Sequence, residues 1–155
     1  MSEVFWEDQV VGSVRAFGGV TMDRESMLAF AREYDPRPST LGESGDWPEA
    51  ADERPVASGA HVAAVCMRMM VDNVLRFSSS LGSPGIKKLR WLSPVHPGDT
   101  LSVRQTLLSK QRHPRRPDVG FTNNRTEVLN QDGLLVMYMD SSGMFRLRSP
   151  ELEGA

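Results

Sequence analysis

Cysteine is almost missing from this chain of 155 residues. Cys66 stands alone, which excludes an internal disulfide framework and favours a reducing compartment. Histidine is scarce too: His61, His96 and His113 lack the spacing of a metal site. There is no Gly-rich phosphate loop and no nucleophile elbow, so neither nucleotide-cradling nor serine-hydrolase chemistry is indicated. No apolar run reaches membrane length, because the longest, VASGAHVAAVCMRMMV, is broken by His61 and Arg68. The N-terminal MSEVFWEDQVVG carries acids where a signal peptide carries bases. One-sided charge is absent as well: 18 Lys and Arg against 20 Asp and Glu leave a formal net charge of −2. Nothing there draws the chain to nucleic acid or an acidic membrane. The expectation is a cytoplasmic protein with no metal, no membrane partner and no nucleic-acid partner.

What remains is ordinary globular composition, 39% hydrophobic and 25% charged. The length suits one domain that buries roughly 70% of its unfolded surface. Residues 10–21 read as a short strand weakened by glycines. Thr21 offers a helix N-cap, and Met27, Phe30, Ala31 and Tyr34 then form an apolar stripe at i, i+3, i+4 and i+7. Pro36 disfavours helical geometry at Asp35, so the helix stops there. A long Pro- and Gly-containing loop covers 36–55. Ser58 is the next N-cap, before about 18 helical residues that are apolar on nearly every side, the pattern of a buried helix. Four strands follow in IKKLRWLS, TLSVRQTLLSKQ, VGFTNNRTEVLN and LLVMYMDSSGMFRLR, with NQDG as a hairpin turn between the last two. One buried helix with one run of strands predicts an α+β domain, a curved antiparallel sheet wrapped around that helix.

Four groups of residues invite chemical roles. Asp35 sits at a helix exit as a general acid or base, or as an ordinary helix-stopping Asp before Pro. In ASGAH the backbone N–H groups of Gly59, Ala60 and His61 are unpaired at the positive end of a helix, where they would hold a carbonyl oxygen gaining charge. The plainer role there is capping by Ser58 beside a packing glycine. Arg68 and Asp72 are spaced as an intrahelical ion pair, although Asp72 could also activate water. Lys110, Arg112, Arg115 and Arg116, with His113, form a basic cluster that would receive phosphates or simply be a solvated hairpin tip.

Taken together, FAREYDPRP, VASGAHVAAVCMRMMVD, GSPGIKKLRWLSPVHPGDTLSVR, RRPDVGFTNNRTEVLNQDG and VMYM resemble the MaoC-like dehydratase family, which includes the (R)-specific enoyl-CoA hydratases. The pieces run in family order over most of 15–148. The resemblance implies a single hot-dog domain over 1–155, with its core at about 11–148. It also implies a homodimer or higher homo-oligomer, and an acyl-CoA or acyl-carrier thioester as substrate or ligand, with no separate cofactor. In the family an Asp and a His, spaced D-x-x-x-x-H, flank the water that adds to the enoyl double bond. Asp35 matches the Asp, and Ser58 with Gly59 matches the segment that holds the thioester oxygen. Thr40 stands where the family has His. Thr40 would orient a water, and Glu43, Asp46 or His61 would stand in for the imidazole. The implied activity is that of a hydratase or dehydratase with a degenerate acid/base pair. The alternatives are a non-catalytic acyl-thioester binding protein or subunit, and a thioesterase using Asp35 or Asp72. The CoA phosphates would fall to Lys110, Arg112, Arg115 and Arg116.

Overall fold

The computed structural model describes residues 3–43 and 54–150. Strand β1 (Val14–Thr21) leads into helix α1 (Arg24–Tyr34), the short α2 (Pro38–Leu41) and the long α3 (Gly59–Asn73). Four strands complete the chain: β2 (Ser80–Trp91), β3 (Thr100–Arg112), β4 (Val119–Leu129) and β5 (Leu135–Arg146). They form one antiparallel sheet in the order β1-β3-β4-β5-β2, so β1 and β2 are its edges. The expected α+β architecture is the observed one.

Alternation builds the inner face. On β3, Leu101, Val103, Gln105 and Leu107 are buried while the residues between them are more open. The register Val103↔Val128↔Met137 extends an apolar row across three strands. Helix α3 adds Val62, Cys66 and Met69 to this core, one stripe at i, i+4 and i+7. Register shifts on β1, β2 and β3 add the local twist that curls a sheet around a helix. Burial pushes the Cys66 thiol up to about 12, which leaves it protonated and inert.

Several local expectations change. The first helix is capped by Asp23 rather than Thr21: the Asp23 carboxylate accepts the Ser26 N–H at 2.8 Å. Thr21 stays in β1 and its hydroxyl meets that of Thr100 at 2.8 Å. Tyr34 is 67% exposed, which narrows the buried stripe of α1 to Met27 and Ala31. Helix α3 is shorter than expected at 15 residues, and β2 starts at Ser80, six residues ahead of Ile86. Nor is α3 enclosed on all sides, because one curled sheet covers one side of it. Met67 is 56% and Val71 38% exposed. The predicted β4–β5 turn is present, with Gly133 at φ 76°.

A second, smaller core of Trp6, Phe145 and Leu147 lies at the far end of the sheet. Trp6 donates its indole N–H to the Phe121 carbonyl at 2.9 Å. The Lys110 ammonium sits 4.4 Å from the Trp6 ring centre and donates to the carbonyls of Trp6 and Gln9. Among the described residues, no helix is long and apolar enough to cross a membrane, and no group of three His, Cys, Asp or Glu is placed to hold a metal. Trp6→Ala is expected to cost about 3–5 kcal/mol, the usual range for truncating a buried aromatic. Urea unfolding of the variant checks this, and a loss below about 1 kcal/mol would mean that Trp6 does not anchor the N-terminal segment.

Candidate active site

The site begins at the corner that ends α1. Asp35 is the last residue to donate into the helix, its N–H meeting the Ala31 carbonyl at 2.9 Å. Pro36 then turns the chain, and Pro38 opens α2. Thr40 is 2% exposed and its hydroxyl faces this corner. It lies 2.5 Å from the Asp35 carbonyl, to which it donates, and it accepts the Arg37 N–H at 3.2 Å. The hydroxyl expected to orient a water is therefore spent on the backbone. That is the role of a small polar residue that closes a turn.

Segment 54–58 joins this corner to the rest of the fold. The Val56 N–H donates to the Ser39 carbonyl at 3.0 Å and the Ala57 N–H to the Val95 carbonyl at 2.8 Å. Ser58 follows at the N-cap position of α3, as expected, but its side chain makes no capping bond. Together with Asp35 it lines the opening beside the helix terminus. The leading N–H groups of α3 have no intrahelical acceptor, and among the described residues Ser58 does not cap them.

Between these pieces lies a cleft of about 620 Å³, lined among others by Asp35, Ser58, Gly59, Trp91, Val95 and Val136. Its wall is mostly apolar, with polar groups gathered near Asp35. Trp91 closes one side: its indole N–H donates to the Gly59 carbonyl at 2.9 Å, and a Cβ on Gly59 would sit 2.7 Å from the ring. Gly59 is thus required for a close approach of ring to backbone.

The Asp35 carboxylate is gripped by Arg37, whose Nε and Nη2 donate to its two oxygens at 2.6 and 2.8 Å. This guanidinium holds the Asp35 carboxyl below the usual carboxylate range; partial burial opposes the effect and the Ser58 hydroxyl assists it. Ion pairing raises Arg37 in turn. Residue type alone did not single out Arg37 or Trp91. The signal was present for Arg37, a cation two residues beyond an Asp across a Pro-fixed turn.

The other candidates lie elsewhere. His61 does not line the cleft. Its ring stacks on Phe30 at 4.6 Å and is pushed below the usual histidine range by burial, against the opposing pull of Asp23. Glu43 is exposed and outside the lining, and Asp46 lies outside the described residues. Asp72 pairs with Arg68 at 2.8 Å on the exposed side of α3, roughly 20 Å along the helix from Gly59.

The basic cluster is at the wrong end of the sheet for this cleft. Val136 and Trp91 flank the Leu129↔Leu135 end, whereas the β3–β4 tip adjoins Val119↔Arg146. Roughly 40 Å of extended β3 separates the two ends. Lys110 is tied to the N-terminal segment, Arg112 donates to the Pro150 carbonyl at 3.3 Å, and Arg116 pairs with Asp118 at 3.1 Å. Arg115 is exposed at the tip. None of these four lines the cleft.

No protein-family model and no curated protein matches the chain. Solved structures do. A MaoC-like dehydratase from Rhodospirillum rubrum is 30% identical with a TM-score of 0.80, the match covering 94% of this chain and 98% of that one. A monoamine oxidase regulatory protein from Archaeoglobus is 26% identical with a TM-score of 0.77, over 94% and 96%. An (R)-hydratase from Pseudomonas aeruginosa, 21% identical with a TM-score of 0.66 over 94% and 91%, shares the fold. The curled sheet on its single long helix, and an identity that extends over nearly the whole of both chains in the first comparison, lead to one conclusion: this chain belongs to the MaoC-like dehydratase family.

Proposed function

We propose that the cleft binds an acyl thioester, with the thioester carbonyl at the N-terminus of α3 and the acyl chain along the apolar wall. The observation that carries this reading is the uncapped first turn of α3 opening beside Asp35 in an otherwise apolar cleft. The unpaired Gly59 N–H and the helix dipole suit an oxygen that becomes negative during reaction. Hydration of an enoyl thioester then proceeds with Asp35 as the one acid/base group. Its carboxylate takes a proton from water as the hydroxyl joins the β-carbon and the electron pair moves onto the thioester oxygen. The same proton returns to the α-carbon as the carbonyl re-forms. One carboxylate doing both jobs forgoes an imidazole partner, typically worth 10²–10⁴-fold, on the order of 3–5 kcal/mol of barrier. The activity is accordingly a slow hydratase or dehydratase activity.

A second reading, a binding protein or subunit that holds the thioester without turnover, is favoured by the tight Arg37–Asp35 pair. The thioesterase reading draws no support from Asp72, which is committed to Arg68 away from the cleft. Homodimers fit the exposed edge. Strand β2 is an edge of the sheet, with Leu81 42%, Ile86 56% and Trp91 50% exposed. A reducing cytoplasm suits the free thiol of Cys66. The choice between CoA and a carrier protein rests on groups outside the cleft, because the basic hairpin of the same chain is not among its lining residues.

Crotonyl-CoA hydration, followed by loss of enoyl absorbance with thiol release monitored in parallel, tests the reading. Wild type is expected to turn over slowly without releasing thiol, and Asp35→Asn to abolish turnover. Unchanged turnover in Asp35→Asn would sink the assigned role, while binding without any turnover would establish the second reading. Gly59→Ala is expected to push Trp91 aside and weaken crotonyl-CoA binding at least tenfold, with a shift in tryptophan emission. Unaltered affinity would separate the helix terminus from the ligand.

A further inference from the structure

We infer that Arg37 is a positioning residue: its guanidinium clamps the Asp35 carboxylate from the cleft wall and sets how far that carboxylate can act as a proton acceptor. The inference rests on the proposed role of Asp35 in thioester chemistry, but the clamp itself can be measured without any substrate.

The geometry is bidentate. Nε and Nη2 meet Oδ1 and Oδ2 at 2.6 and 2.8 Å, the parallel arrangement in which guanidinium and carboxylate bind most strongly. An ionised carboxylate offers about four acceptor positions. Arg37 takes two of them, one on each oxygen, which leaves about two for a reacting water. The Asp35 side chain is 17% exposed, so a competing water approaches from few directions. Arg37 is also built into the corner: its N–H meets the Asp35 carbonyl at 2.9 Å and its backbone holds the Thr40 hydroxyl. Its side chain is 65% exposed, so the clamp does not depend on core packing and can be altered without disturbing it.

The chemical consequence follows from what a guanidinium can do. It donates hydrogen bonds and never gives up its proton near neutral pH, so it cannot replace an imidazole in moving protons. It can only stabilise the Asp35 anion. Both oxygens are engaged, and the carboxyl is held below the usual carboxylate range, which makes it a weaker base. Restoring the family histidine at position 40 alone therefore leaves Asp35 still clamped.

The test pairs a titration with kinetics. The Asp35 carboxyl is followed by carbon NMR on protein labelled at aspartate, in wild type, Arg37→Lys and Arg37→Gln, with Asp35→Asn identifying the signal. The expected result is a wild-type midpoint below the usual value of about 3.9. The midpoint should move upward in Arg37→Gln and partway in Arg37→Lys, which keeps the charge and loses the fork. Identical midpoints in wild type and Arg37→Gln would overturn the clamp. In crotonyl-CoA hydration, Thr40→His with Arg37→Gln is expected to exceed Thr40→His alone by at least tenfold in kcat. Equal or lower turnover in the double variant would overturn the claim that the clamp limits the base. Calorimetric binding of crotonyl-CoA to wild type is measured separately. If it fails, the thioester reading falls, while the NMR midpoints still decide whether the clamp exists.

Discussion

Val62, Cys66 and Met69 of α3 share one buried core with Leu101, Val103, Val128 and Met137 of the sheet, and the rest of the site depends on that contact. It fixes the axis of the helix, and with it the point where the first turn opens. Strand β2 then delivers Trp91 against the Gly59 backbone, and the Val95 carbonyl receives the Ala57 N–H. The helix terminus is thus held from two sides by elements distant in sequence. Close packing makes such an arrangement rigid, which is what a preorganised group of donors needs.

Around this scaffold the electrostatics are local. The cleft brings one carboxylate, one guanidinium and one buried hydroxyl together in an apolar surrounding. Ser58 does not cap α3, so the helix terminus stays open, and the Arg37 fork fixes the Asp35 anion at the same cleft. The same fixity makes Asp35 a weak base.

Much of the architecture was legible because it follows from periodicity. The alternation in TLSVRQTL, the stripe of Met27 and Ala31 and the turn at Gly133 each reflect a local rule that the fold does not override. The stop at Asp35 was legible from Pro36. Less legible were features decided by tertiary contact. Nothing local keeps the Ser58 side chain from capping α3, or turns His61 toward Phe30 and away from the cleft. The place of the basic hairpin was not legible either, because charge density says nothing of position; the register puts it at the far end of β3. The open face of α3 misled in another way, since an apolar helix surface implies a covering without saying that the same chain supplies it.

The central claim is that a thioester carbonyl docks on the N-terminus of α3. Isotope-edited infrared spectroscopy of crotonyl-CoA carrying a 13C thioester carbonyl tests it most directly. Docking on backbone N–H groups at a helix terminus polarises the carbonyl, so its stretch should move to lower wavenumber on binding. A bound ligand whose carbonyl stretch matches that of free crotonyl-CoA would contradict the account.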